Sequence, residues 1–143
     1  MGDRCSITLE LGGKITEQQV RELCELMVAE NLLADGTHAP CRDNIDETFY
    51  ADEVNYGLIK PVTDYCDAAG IAYELWNAAG GSYGEGVTRS DGTRTETCPC
   101  SEAVPMHPLS EILRVEALAS GLAKAIDLAR FMCGPLPQLE IVP

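Results

Sequence analysis

The stretch from Val87 to Cys98 reads VTRSDGTRTETC, and the fold follows from it. Val87–Ser90 and Thr93–Cys98 have the β-branched, polar-alternating character of strands. Between them lies Asp91-Gly92, a dipeptide that tolerates the left-handed backbone of a hairpin turn. An antiparallel hairpin is therefore expected in the middle of the chain.

Upstream, Ser6–Leu11 alternates Ile7, Leu9 and Leu11 with polar neighbours, the period of a half-buried strand that Gly12-Gly13 ends. Thr16 and Gln19 make a capping box. Val20, Leu23, Cys24, Met27 and Val28 then fall on one stripe of a helix over Glu17–Asn31. Residues 34–48 hold Asp35-Gly36, Pro40 and scattered acids, and read as a long loop. Thr48–Tyr56 (TFYADEVNY) has strand composition but broken alternation. Leu58–Ala69 places Ile59, Val62, Cys66 and Ala69 on one helical face, with Pro61 in the first turn and Gly70 as the C-terminal cap. Ile71–Asn77 returns as a strand.

Downstream, Cys98–Pro108 is irregular. Leu109–Met132 predicts the longest helix, about 36 Å at 1.5 Å per residue. Its stripe is Ile112, Leu118, Leu122, Ala125, Ile126 and Ala129, and Ala119, Ser120, Gly121 and Ala123 narrow its middle. Cys133-Gly134-Pro135 stops it, and Leu136–Val142 is a candidate last strand. The order β-α-β-α-β-β-β-α-β predicts a single α+β domain over residues 1–143, a mainly antiparallel sheet with about three helices packed on one face.

The chain has 143 residues, 45% hydrophobic and 23% charged, the composition of an ordinary globular domain. No apolar run approaches the roughly 20 residues of a membrane span, and no basic segment leads into an apolar one at the N-terminus. The seven cysteines are odd in number and lack framework spacing, so free thiols in a cytoplasmic setting are expected.

Net charge is −13. Between residues 43 and 77, Asp43, Asp46, Glu47, Asp52, Glu53, Asp64, Asp67 and Glu74 face Lys60 alone. Such a field opposes direct contact with nucleic acid or anionic lipid. It suits solubility, or docking to a basic protein partner. A more specific version is an acidic mimic of a phosphate track that occupies a nucleic-acid-binding protein.

Chemistry is sparsely signalled. Gly80-Gly81-Ser82-Tyr83-Gly84-Glu85-Gly86 follows a strand as a phosphate loop would. It leads into another strand, lacks the lysine, and carries Glu85, which would repel an anion. Its plain reading is a flexible or bulged strand entrance, and its functional reading is a ligand-facing loop. Asn77, Tyr83, Arg89 and Arg94 are the candidate contacts, Tyr83 as a flat surface and the arginines for a carboxylate.

Cys98-Pro99-Cys100 with His107 holds zinc-ligand residue types, and His38 and Cys41 could join them. One intervening residue is short of the usual two to four, so unligated loop residues are the expectation and no cofactor is implied. The same cysteines with His107 as base would make a nucleophile if a thiol were acidified. Adjacent pairs such as Asp46/Glu47 and Asp52/Glu53 would point to opposite faces of a strand. Phe49, Tyr56, Tyr73 and Trp76 read as core or interface residues first. The leading expectation is a small acidic binding protein, a possible homodimer, that recognises a partner or small ligand through the glycine-rich hairpin region. A Cys/His enzyme and the acidic mimic are the alternatives.

Overall fold

The computed structural model describes residues 3–101, 104–105 and 118–143. Nine strands are found there: β1 (Arg4–Gly12), β2 (Lys14–Thr16), β3 (Leu33–Ala34), β4 (Phe49–Asn55), β5 (Ala72–Asn77), β6 (Gly86–Ser90), β7 (Thr95–Ser101), β8 (Val104–Pro105) and β9 (Glu140–Val142). The helices are α1 (Glu17–Ala29), α2 (Lys60–Ala69) and α3 (Leu118–Cys133), with a 3₁₀ turn at Arg42–Asn44. Seven strands form one sheet in the order β3-β4-β1-β5-β6-β7-β8, antiparallel at every junction. β2 and β9 pair in parallel as a small second sheet. The α+β class and the element order agree with the sequence.

β1 is central because its alternation is strict. Cys5, Ile7, Leu9 and Leu11 are buried on one face, while Ser6, Thr8 and Glu10 lie on the other. The Thr16 hydroxyl accepts from the Gln19 amide at 3.3 Å, and the Gln19 side chain accepts from the Thr16 amide at 2.8 Å, so α1 starts with two of its free N–H groups satisfied. α1 then turns Val20, Leu23 and Met27 inward, and α2 adds Val62 and Cys66. Gly70 caps α2 in the left-handed conformation at φ 69°. These residues meet Ile7, Leu9, Phe49, Tyr73 and Leu75 in one core. Enclosing each of the larger apolar side chains contributes about 1.5–3 kcal/mol before the entropy of ordering it.

The third helix departs from the expected one-sided packing. Val87, Cys98 and Cys100 present a second apolar patch on the opposite face of the hairpin, and α3 covers it with Met132, Leu128 and Phe131 beside Trp76. The face that docks is also not the expected stripe. Leu122 and Ile126 are 50% and 43% exposed, while Ala125 and Met132 are buried. The described part of α3, LASGLAKAIDLARFMC, is apolar nearly all round, so periodicity alone does not select its buried side. Ile112 and the N-terminal part of the expected helix lie outside the described residues, as do the side chains of Leu118, Ala119, Ser120 and Gly121.

β4 explains its own broken alternation. Cys5 pairs with Val54 and Ile7 with Ala51, so β4 carries one extra residue, and Glu53 sits at φ 59°. This bulge leaves Asp52 and Glu53 both exposed, correcting the expectation that they point to opposite faces. The hairpin is present with a four-residue connection, Ser90 pairing with Thr95. A single carboxylate oxygen of Asp91 accepts from the amides of Thr93 (2.9 Å) and Arg94 (2.8 Å), and these bonds hold its carboxyl below the usual range.

Candidate functional site

The four candidate ligand contacts do not converge. Asn77 and Tyr83 share a cavity of about 600 Å³ at one end of the sheet, with Tyr56, Leu58 and Pro99. Asn77 is committed to its own loop, donating from Nδ2 to the carbonyls of Ala78 (3.1 Å) and Gly84 (3.4 Å). The Tyr83 ring folds back over Gly80, where a Cβ would lie 2.5 Å from it, and its centroid is 5.9 Å from that of Tyr56. Its hydroxyl is buried without a hydrogen bond of good geometry among the described residues. The Cys5 thiol beside it, together with burial, pushes the phenol up to about 12.

Arg94 holds the fold together on the far side of the hairpin. Its guanidinium pairs with Glu96 at 3.0 Å and with Asp127 of α3 at 3.0 Å, and stacks 4.5 Å from the Phe131 ring centre. Cation and aromatic together clamp α3 to β7.

Cys98 and Cys100 are buried beneath α3, and the Cys100 thiol donates to Glu85 at 3.4 Å. Burial pushes Cys98 up, and burial with the Glu85 bond pushes Cys100 up to about 11. Both are therefore protonated at neutral pH, the reverse of what a nucleophile or metal ligand needs. His107 lies outside the described residues. Among those described, no three His, Cys, Asp or Glu side chains are grouped to hold a metal ion. His38 instead shares a 2.7 Å contact with the Thr37 hydroxyl, and the Cys41 amide donates to the Asn44 side chain at 2.8 Å.

Arg89 leads to the most developed site. It lines a cleft of about 640 Å³ between the open face of β1, β5 and β6 and the C-terminal end of α3. Register puts the polar floor together: Glu10 lies opposite Glu74, Glu74 opposite Arg89, and Arg89 opposite Glu96, a ladder across four strands. The next rung is Thr8, Trp76, Val87 and Cys98. Met132, Pro135 and Leu136 supply apolar wall. A volume of this size, apolar walls and a few convergent polar groups are the usual make-up of a small-molecule site.

The Arg89 side chain is only 7% exposed. Its Nη1 donates to Glu74 at 2.8 Å and to the Met132 carbonyl at 3.2 Å. Among the described residues its Nε and Nη2 make no hydrogen bond, and neither is sealed from solvent, so three N–H donors of an otherwise buried guanidinium open to the cleft. Glu74 is pushed above the usual carboxylate range by burial, with Arg89 opposing the shift and Glu10 adding to it. Glu10 accepts from the Thr48 hydroxyl at 3.1 Å. Trp76, the chain's single tryptophan, is fixed by its indole N–H donating to Glu85 at 2.7 Å.

Of this cleft, sequence reasoning nominates Arg89 and misses Glu10, Glu74 and Trp76. The two glutamates look like solvated charges and Trp76 like core until the strands are placed in register. Their outward positions in alternating strands are the available signal. Among the described residues, no helix is long and apolar enough to cross a membrane. No protein-family model, no curated protein and no solved structure matches this chain.

Proposed function

We propose that this chain is a binding protein for a small organic ligand, held in the cleft between the sheet and the end of α3. One observation carries the reading: Arg89 is buried at the floor of that cleft with donors left over, beside the indole of Trp76. These donors open to the cleft from a side chain whose position is fixed by Glu74 and the Met132 carbonyl, so a ligand acceptor can take them without reordering the arginine. Recognition runs through β6 of the hairpin, which supplies Val87 and Arg89, rather than through the glycine-rich turn itself. The raised thiols of Cys98 and Cys100 favour binding over cysteine catalysis.

The acidic segment supports the same preference. Asp43 lies on the 3₁₀ turn, Asp52 and Glu53 on the β4 bulge, Asp64 and Asp67 on α2, and Glu74 in the cleft. Lys60 engages Asp64 at 3.1 Å, Ser6 engages Asp52 at 2.5 Å and Thr95 engages Asp67 at 3.0 Å. Carboxylates spread over these elements and spent on local partners suit a solvated surface better than a continuous track for a basic protein or a phosphate mimic. Seven free thiols fit a cytoplasmic setting.

Screening a fragment set by amide chemical-shift perturbation tests the reading. Shifts should cluster at residues 8, 10, 74, 76, 87, 89, 132–134 and 136. Shifts confined to the Tyr56–Tyr83 cavity, or none from any fragment, would refute it.

A further inference from the structure

We infer that the ligand is a zwitterion of the α-amino-acid kind: its ammonium group lies against Glu10 and Glu74, its carboxylate on Nε and Nη2 of Arg89, and its apolar side chain toward Trp76, Val87 and Met132. This rests on the cleft being the binding site.

The floor holds two carboxylates and one guanidinium, so it carries a net negative charge when all three are ionised. Glu10 and Glu74 stand directly opposite one another in the β1–β5 ladder, a like-charge pairing that destabilises a sheet. Glu74 holds its proton more tightly than an ordinary carboxyl, chiefly through burial, and the Glu10 charge adds to that shift while Arg89 opposes it. A cation placed between them relieves that repulsion. The end of α3 acts in the same direction, since Met132 and Cys133 line the cleft where the helix terminates in carbonyl groups of partial negative charge. A free anion meets the opposite field from each of these groups.

A simple cation would leave Arg89 unexplained. Its side chain is more than nine-tenths buried, it faces the cleft, and the Nε–Nη2 edge is the fork that accepts a carboxylate with two parallel hydrogen bonds. Arg89 sits one strand beyond Glu74 and two beyond Glu10, with neighbouring strands about 4.8 Å apart. A molecule with ammonium and carboxylate on one carbon fits between side chains converging from those positions. Anion or cation alone satisfies half of the floor, and the zwitterion satisfies both halves. The remaining wall, Trp76, Val87, Met132, Pro135 and Leu136, calls for an apolar body, and the Trp76 ring lies where it can face a cation or a flat group.

Three probes that share one apolar body separate the charges: phenylalanine, phenethylamine and 3-phenylpropionate. Excitation at the red edge reads Trp76 alone, and amide shifts of the cleft residues provide a second signal. Phenylalanine should bind about ten-fold tighter than phenethylamine, the worth of a charge-assisted contact, and 3-phenylpropionate weakest of the three. Glu10→Gln, at an exposed position, should weaken phenylalanine and phenethylamine by about ten-fold and leave 3-phenylpropionate no weaker. Equal binding of phenylalanine and phenethylamine would overturn the carboxylate contact. Tightest binding by 3-phenylpropionate, or no effect of Glu10→Gln on the amines, would overturn the ammonium contact. If none of the three binds while other fragments still shift the cleft, the zwitterion is wrong and the site stands. Silence of the cleft toward every fragment would remove the site itself.

Discussion

Replacing Arg89 with methionine separates charge from packing at the cleft floor. Methionine keeps an unbranched apolar stem of similar reach, so the loss concentrates on the guanidinium. Two bonds disappear, to Glu74 at 2.8 Å and to the Met132 carbonyl at 3.2 Å. Removing one member of a buried ion pair costs about 3–5 kcal/mol, because the other charge is stranded. Glu74 retains 33% side-chain exposure, and solvent screening brings its share down to about 2 kcal/mol. Loss of the donor to Met132 adds about 1 kcal/mol and loosens the end of α3. The expected destabilisation is about 3 kcal/mol at pH 7, a large part of the 5–15 kcal/mol that holds a domain of this size.

The same variant has a pH signature. Glu74 is already shifted upward, and Arg89 is the main influence pulling it back, so the variant raises it further. An acid whose pKa is raised on folding favours the folded state below its unfolded value, and that advantage is lost as pH rises through the folded value. Below pH 4.5, the ordinary value for the group, Glu74 is protonated in both states and the stranded-charge penalty vanishes. The cost of Arg89→Met should therefore shrink to about 1 kcal/mol near pH 4, the residue of the Met132 bond. Urea unfolding followed by Trp76 fluorescence at both pH values measures this, with Glu74→Gln and the double variant closing a thermodynamic cycle. A cost that does not change with pH, or a cycle with no coupling between the two sites, would show that Arg89 acts by packing alone.

A Cβ on Gly92 would lie 2.4 Å from the Gly70 carbonyl oxygen, and Gly92 is at φ 93°. Gly92→Ala should cost more than about 2 kcal/mol, through left-handed strain plus displacement of the α2 cap. Gly36→Ala, at φ 71° with nothing within 4 Å, should cost only about 1 kcal/mol, and equal losses in urea titrations would refute the close approach. Thiol labelling of the native protein should reach the exposed Cys41 and Cys133 first. Cys66, pushed up to about 12 by burial, and Cys100, pushed up to about 11, should react only on unfolding. Rapid native labelling of Cys100 would mean that α3 does not cover the hairpin.

The parts of this fold that are legible in the sequence are those whose cause is local. The alternation of Ile7, Leu9 and Leu11, the Thr16–Gln19 box, the Gly70 cap and the Asp91-Gly92 turn each act within a few residues, and each stands where the residues place it. The β4 bulge is harder to read because Glu53 adopts positive φ under tertiary constraint, without the glycine that would announce it. The parallel pairing of β2 with β9 joins opposite ends of the chain, and neither three-residue strand carries a signal for the other. α3 shows the converse problem: a helix apolar on several sides offers no stripe, so the patch of Val87, Cys98 and Cys100 selects the face that docks. The cleft has the same origin as these misses. Glu10, Glu74 and Arg89 occupy three strands, and each is an unremarkable outward residue in its own segment. What makes them a site is register, and a slip of one residue in any strand would send its side chain to the opposite face. Register is set by the core residues between them: Leu9 and Leu11 against Leu75 and Tyr73 align β1 with β5. The apolar pattern that builds the core thus also aligns the charges behind it, and core substitutions that shift β1 against β5 should dismantle the cleft before they unfold the chain.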